Sequence, residues 1–142
     1  MKKVFFILLS VFTLVSCKKD KGETACMATA ASIAGSYRIT AITYKASATS
    51  AEMNYYNLVF PDACERDDIL SLNINGTYIM IDAGIVCSPP NTDNGNWSIS
   101  GNTLIIDGDP STIESYNCQT LILIQTGVQV AGDKYKITLT RQ

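Results

Sequence analysis

The chain contains no histidine. This removes the commonest general base and the commonest side-chain ligand for transition metals. It contains no Cys-x-x-Cys pair, so neither a zinc knuckle nor a thioredoxin-type centre has the spacing it needs. No nucleophile motif is present and no free thiol is expected, so we expect no enzyme, no cofactor and no metal. Positive charge is not in excess: 11 Lys and Arg stand against 13 Asp and Glu, for a formal net charge of −2. Nucleic acid, which demands a basic footprint, is thereby excluded as a partner. Beyond residue 16 there is no apolar run long enough to cross a bilayer.

What is present begins with a compact export signal. Lys2 and Lys3 form a positive head, and residues 4–15 (VFFILLSVFTLV) form an apolar stretch too short for a stable transmembrane anchor. Leu14-Val15-Ser16-Cys17 then follows the lipobox order of two aliphatic residues, a small one and cysteine. Cleavage before Cys17 and acylation of its thiol are expected, with residues 1–16 removed as a signal peptide. Loss of Lys2 and Lys3 makes the mature chain two units more negative. Residues 17–34 read as a lipidated tether in which Lys18, Lys19 and Lys21 are solvated, and residues 35–142 as one folded domain.

Of the five cysteines, lipid would occupy Cys17, leaving Cys26, Cys64, Cys87 and Cys118. An even number in an oxidising compartment implies two disulfides, for which three connectivities exist.

After residue 34, apolar residues recur with a period of two. At the end of the chain, Tyr135, Ile137, Leu139 and Arg141 share one face and Lys134, Lys136, Thr138 and Thr140 the other, as in a half-buried antiparallel strand. Asn75-Gly76 signals a hairpin over residues 68–82. A two-residue turn there predicts the pairs Ile74–Thr77, Leu72–Ile79 and Leu70–Ile81 on one apolar face, with Asn73–Tyr78 and Ser71–Met80 on the other. Further hairpins are predicted over 95–107, turning at Ser100-Gly101-Asn102, and over 111–125, turning near Asn117-Cys118-Gln119. A long first strand runs over 35–45. Residues 50–60 read as a short helix capped by Ser50 and ended by Pro61. Residues 104–106 and 121–124 are apolar without alternation, as in strands covered on both faces by the tether or by a partner. Trp97 reads as core. About eight strands result, a number whose closed barrel holds side chains or one small ligand.

Residues 35–141 resemble the lipocalin-like domain of many Gram-negative outer-membrane lipoproteins. The resemblance is carried by Cys64-Glu65-Arg66-Asp67-Asp68, then Asn75-Gly76-Thr77-Tyr78, Cys87, Gly95-Asn96-Trp97-Ser98-Ile99 and Thr103-Leu104. It implies an all-β fold: an eight-stranded antiparallel up-and-down barrel with one short helix in the first long loop. One departure is that Gly35-Ser36-Tyr37 places tyrosine where such barrels often open with Gly-x-Trp.

In an up-and-down barrel the connections alternate between two ends. The turns at 75–76, 100–102 and 117–119 fall at the base, where the first strand starts. The long loops 46–66 and 84–94 fall at the other end, the mouth. Cys64 and Cys87 then share the mouth, while Cys26 and Cys118 share the base. Since a disulfide does not span the barrel, Cys64–Cys87 and Cys26–Cys118 are the expected pairs. The same geometry predicts that Arg141 packs on Tyr37 and closes the base. Tyr44, Met53, Tyr55, Tyr56 and Met80 are candidate ligand-lining residues near the mouth. Asp67-Asp68 reads as solvated charge at a strand start, held near Arg66, in preference to a paired carboxylate site. Asp107-Gly108-Asp109-Pro110 offers oxygen ligands for calcium, and a turn explains it equally well.

The leading expectation is an outer-membrane lipoprotein whose barrel binds an apolar or amphipathic small molecule. The alternative is a filled barrel serving as an interaction or accessory module for an envelope protein. Bulky inward side chains on every strand favour the alternative, and small ones favour a pocket.

Overall fold

The computed structural model describes residues 26–142. The predicted export signal over 1–16, the expected acylation site at Cys17 and the lysines of the expected tether lie outside the described residues.

Nine strands form one antiparallel sheet: β1 Gly35–Lys45, β2 Met53–Asn54, β3 Ile69–Leu72, β4 Thr77–Ile81, β5 Asp93–Ser100, β6 Thr103–Ile106, β7 Asp109–Tyr116, β8 Thr120–Thr126 and β9 Lys134–Arg141. Each strand from β3 to β8 pairs with its successor, β1 pairs with β3, and β1 also pairs with β9. β1 and β3–β9 thus close an eight-stranded up-and-down barrel, and closure leaves no long sheet edge unpaired. The two-residue β2 is a spur on the mouth half of β1, opposite Thr43 and Tyr44.

Side-chain alternation fills the interior. In β9, Tyr135 and Leu139 are buried. In β1 the register against β9 shifts between Ile39 and Ala41. This bulge resets the parity, so that Tyr37, Ile42 and Tyr44 are all buried and Ile39 packs beside them. Trp97 is core, and its indole N–H donates to the Asn73 carbonyl at 2.8 Å. Leu121 and Leu123 are buried inward, whereas Ile122 and Ile124 are only half-buried. The second run therefore alternates in burial although its sequence does not.

The Asn75-Gly76 hairpin has a register one residue away from the predicted one. Leu72 faces Tyr78, Ser71 faces Ile79, Leu70 faces Met80 and Ile69 faces Ile81. The loop holds three residues, not two: Asn73 N–H donates to the Thr77 carbonyl at 2.8 Å, and Gly76 N–H to the Asn73 carbonyl at 3.0 Å. A two-residue type I′ turn needs positive φ at both Asn75 and Gly76, and only Gly76 adopts it, at +85°. Asn75 instead uses its side-chain oxygen to accept from Thr77 N–H. A shift of one residue swaps the faces of the strand. Leu70, Leu72 and Tyr78 are buried with Met80 packed beside them, while Ile79 and Ile81 stand exposed on the outer wall.

The other turns lie where expected. Gly101-Asn102 joins β5 to β6, and Cys118-Gln119 joins β7 to β8. Asp107-Gly108 joins β6 to β7 with positive φ at both residues.

Three short helical turns accompany the barrel. The predicted helix over 50–60 shrinks to α2, Tyr56–Val59, with Tyr55 and not Ser50 at the N-cap position and Asn54 Oδ1 accepting from Tyr56 N–H. Met53 and Asn54 are drawn into β2 by pairing with β1, a tertiary preference that the helical spacing does not reveal. A 3-10 turn follows at Ala63–Glu65. Ahead of the barrel, α1, Ala30–Ile33, is set by a capping box between Thr29 and Ser32. Its Ile33 is fully buried and seals the base.

Candidate functional site

The base of the barrel is a closed, bonded structure. Cys26 is bridged to Cys118 with a Cα–Cα separation of 5.4 Å, and Cys26 N–H donates to the Tyr116 carbonyl at 3.0 Å. The Tyr37 hydroxyl donates to the Ile33 carbonyl at 2.7 Å, and the Tyr116 hydroxyl donates to the Ser32 carbonyl. Arg141 Nη2 faces both hydroxyl oxygens, at 2.8 and 3.0 Å, and the carbonyls of Ser32 and Ala34. Its guanidinium carbon lies 5.2 Å from the centre of the Tyr37 ring. Arg141 and Tyr37 are paired across the barrel seam, as the sequence predicts. Burial and the adjacent Tyr116 hydroxyl push the Tyr37 phenol well above its ordinary range. These groups are tied to one another through Arg141 Nη2, while the buried Arg141 Nε is left without a partner.

The mouth differs. Cys64 and Cys87 join its two long loops with a Cα–Cα separation of 5.3 Å, the pairing that end-parity predicts. Asp67 Oδ2 accepts from Ile85 N–H at 2.9 Å, and Asp82 accepts from Cys87 N–H and Asn91 N–H. Asp68 Oδ2 accepts from the Asn91 side chain at 2.6 Å. The loops are therefore one knitted unit. Asp67 and Asp68 do not act as a pair, since each serves a different part of the second loop. Asp68 is also not solvated as expected: it is 7 % exposed, and its Oδ1 has no partner. Strand alternation places it inward beside Leu70, which outweighs the usual preference of carboxylates for water. Burial raises its pKa, as do the Asp82 and Asp67 charges, against the opposing Asn91 and Ala83 donors.

The first mouth loop seats a lid in the gap where β1 leaves β3. The Tyr56 hydroxyl faces the Ile39 carbonyl at 2.9 Å and the Arg66 carbonyl at 3.2 Å. Arg66 returns to the same loop, with Nε donating to the Phe60 carbonyl and Nη2 to the Pro61 carbonyl. Beneath the lid is a cavity of about 20 Å³ lined by Ile39, Phe60, Glu65, Arg66, Asp68, Leu70 and Met80. That is room for roughly one water molecule.

Beside the lid, Tyr44, Tyr55 and Tyr135 form an aromatic cluster with ring centres 5.0 to 5.5 Å apart. The Gln129 amide bridges the Tyr55 and Tyr135 hydroxyls. Asp133, fully buried, braces the loop 127–133 by accepting from the N–H groups of Val128, Gln129 and Val130. Burial works to raise its pKa, but the backbone donors outweigh it and hold the carboxyl below its usual range.

The five candidate ligand-lining residues thus divide. Tyr44 and Tyr55 belong to the tyrosine cluster, Tyr56 pins the lid, and Met80 lines the small cavity. Met53 is 51 % exposed on the rim and lines neither. Asp68 is read from the sequence as solvated charge in preference to a carboxylate pair, and Phe60, Gln129 and Asp133 carry no site expectation from it. The turn-like Gly132-Asp133 is the one sequence signal for the last.

On the barrel wall, the Tyr78 hydroxyl faces Asp107 Oδ2 at 2.6 Å and Asp93 Oδ2 at 3.1 Å, and Asp107 Oδ1 accepts from Asn96 N–H. Asp107 thereby fills the gap beside β5, where β6 has ended. The Tyr78 and Asn96 donors lower its pKa.

No curated protein matches the chain. The profile of the lipocalin-like domain family matches residues 33–123, which includes the lid, the small cavity and the strands that carry them. With most of its length matched and a closed eight-stranded barrel, the chain belongs to the lipocalin-like domain family.

Proposed function

We propose that this protein is a lipid-anchored module of the bacterial outer membrane that binds its partner through the mouth of a filled barrel. One observation carries the reading: seven of the eleven exposed large apolar side chains among the described residues stand on mouth loops, against Met27 and Ile74 at the base and Ile79 and Ile81 on the wall, while the interior is occupied. Met53, Leu58, Val59, Ile85, Val86, Val128 and Val130 are 39–69 % exposed, and they come from three separate mouth loops. Inside, bulky side chains pack from every barrel strand, including Tyr37, Leu72, Tyr78, Trp97, Leu104, Tyr116, Leu121 and Leu139. An enclosed ligand of drug size needs several hundred Å³, and the cavity under the lid has about 20 Å³. This favours an interaction module over a container for an apolar molecule.

The orientation supports the same reading. The base holds Cys26, and nine residues from Cys17 to Cys26 span at most about 30 Å when extended. Acylation at Cys17 would keep the base near the bilayer and direct the mouth loops away from it. The expected partner is an envelope protein, without catalysis by this chain.

The test is site-specific photo-crosslinking in intact cells, with the photoreactive residue at Leu58 or Val86 on the mouth and at Ser100 on the base. Discrete protein adducts from the mouth positions alone are expected. Adducts from Ser100 but from neither mouth position would overturn the reading. Native mass spectrometry of the extracted protein separates the small-molecule alternative, which requires a retained low-mass ligand.

A further inference from the structure

We infer that the base of the barrel is a membrane-docking surface, seated on the bilayer interface with Met27 and Ile74 inserted at the boundary of headgroups and acyl chains. The inference rests on acylation at Cys17 and goes beyond it: the anchor holds the base nearby, and the base itself makes the contact.

Charge is distributed unevenly along the barrel axis. Among the described residues, the base is built from residues 26–34, the turns 73–76, 100–102 and 117–119, and Gln142, and none of these is Asp, Glu, Lys or Arg. The cation beside them, Arg141, is turned inward onto Tyr37 and the carbonyls of Ser32 and Ala34. The mouth loops and their flanks, by contrast, carry Asp62, Glu65, Asp67, Asp82 and Asp93 against Arg66. A charged side chain lowered into the headgroup boundary forfeits hydration, and the uncharged side chains of the base avoid that cost. An acidic mouth is repelled by anionic headgroups. The turn amides at the base are also bonded internally. Asn75 Oδ1 accepts from Thr77 N–H, Asn117 Oδ1 from the Gln119 and Thr120 N–H groups, and Gly76 N–H donates to the Asn73 carbonyl. These amides keep their partners when lipid displaces water.

Two apolar side chains project from this uncharged surface. Met27 is 82 % exposed and Ile74 67 %. Cys26, next to Met27, is bridged to the β7–β8 turn, and Ile74 lies in the β3–β4 turn. In the ring order β1-β3-β4-β5-β6-β7-β8-β9 these turns stand four strands apart, half of the closed circuit of eight. Insertion at both therefore holds the barrel axis upright, whereas insertion at one leaves it free to tilt. Each side chain buries its apolar area in the acyl boundary as it would in a core. The chain that leads to the anchor ends on the same surface. From Cys17 to Cys26 it spans at most about 30 Å when extended, so it delivers the base to the bilayer ahead of the wall or the mouth.

The test uses the acylated full chain, extracted and reconstituted on vesicles of phosphatidylcholine and phosphatidylglycerol that carry nitroxide-labelled acyl chains. An environment-sensitive fluorescent amino acid replaces Met27, Ile74, Leu58 on the mouth or Ile81 on the wall, one at a time. Nitroxide quenching is expected at both 27 and 74, at least about fivefold stronger than at 58 and 81. Position 74 is decisive, because the tether alone keeps 27 close to the membrane. Quenching at 27 without 74 describes a barrel hanging from its tether and would overturn the inference. Quenching at 58 or 81 as strong as at 74 would do the same. With the fluorophore at Ser100, Ile74→Asp should weaken quenching at least about twofold and Ile81→Asp should leave it unchanged. Both isoleucines are exposed, so neither variant disturbs the core. Equal responses of the two variants would overturn the inference. Intact mass separates the two levels: an acylated chain that fails these readings removes the docking surface and leaves the anchor, while a chain of unmodified mass removes both.

Discussion

The guanidinium of Arg141 lies directly against the bare α-carbon of Gly35: a Cβ built there would sit 2.9 Å from Nη1 and 3.1 Å from Cζ. Gly35 also has φ of +150°, a conformation that side chains rarely adopt. The penultimate residue of the chain is thus locked onto the first residue of β1, and Tyr37 provides the aromatic face beneath it.

Arg141→Ala should therefore behave as a core substitution despite its position near the end of the chain. It removes a cation–π contact and leaves buried oxygens without a donor, a loss of about 2–4 kcal/mol. Gly35→Ala should destabilise as well, and the two together should cost less than their sum, because they disturb one contact. Lys136→Ala on the outer face loses a half-exposed ion pair with Glu114 and should cost less than about 1 kcal/mol. Thermal unfolding of the four variants provides the comparison. Equal small shifts for Arg141→Ala and Lys136→Ala would mean that the base is held by other contacts.

The hairpin register predicts an asymmetry between neighbours. Ile79→Lys points to solvent and should change stability by no more than about 0.5 kcal/mol. Leu72→Ala opens a cavity in the core and should cost about 2–5 kcal/mol. Gly76→Ala strains a positive φ and should cost about 1 kcal/mol or more. Urea denaturation distinguishes this register from the two-residue turn, which would make Ile79 the sensitive position.

The two disulfides should contribute separately. Cys64–Cys87 closes a separation of 23 residues, and Cys26–Cys118 one of 92. Loop entropy assigns roughly 3 kcal/mol to the shorter and between about 4 and 5 kcal/mol to the longer. Peptide mapping without reductant should recover those two pairs, and a Cys26–Cys64 peptide would contradict them. Replacing Cys64 and Cys87 together by Ala should also loosen the lid, read as faster amide exchange over 56–66.

Asp133 and Asp68 should respond to pH in opposite directions. The folded-state pKa of Asp133 is lowered, so its stabilisation is present above the unfolded value near 4 and is lost as pH falls through the folded value. Asp133→Asn should lower the melting temperature at pH 7, with the gap to the parent narrowing below about pH 4. The folded-state pKa of Asp68 is raised, so its ionisation weakens the fold as pH rises from the unfolded value through the folded one. Asp68→Asn should therefore be at least as stable as the parent at pH 7. Melting curves from pH 3 to 8 check both signs.

Local chemistry carried much of this fold. Alternation marked β9, turn residues marked three base connections, and glycine, asparagine and serine spacing separated the strands. Once the strands were counted, parity alone sorted four cysteines into two ends and brought Arg141 to Tyr37. These features are legible because each depends on a short stretch of chain or on the order of connections.

Tertiary structure decided the rest, because it depended on competition between neighbours distant in sequence. Asn75-Gly76 permits turns of two or three residues, and burial of Leu70, Leu72 and Tyr78 together selected the three-residue loop. Residues 53–54 carry helical spacing, yet the open mouth half of β1 took them as a strand. Asp68 is an ordinary charged residue in sequence, and only its position beneath Phe60 and beside Met80 left one carboxylate oxygen unpartnered. Whether the barrel is hollow or filled was equally invisible in the strand pattern. Alternation specifies which side chains point inward, while packing around Tyr37, Trp97 and Tyr116 determines how little room remains between them.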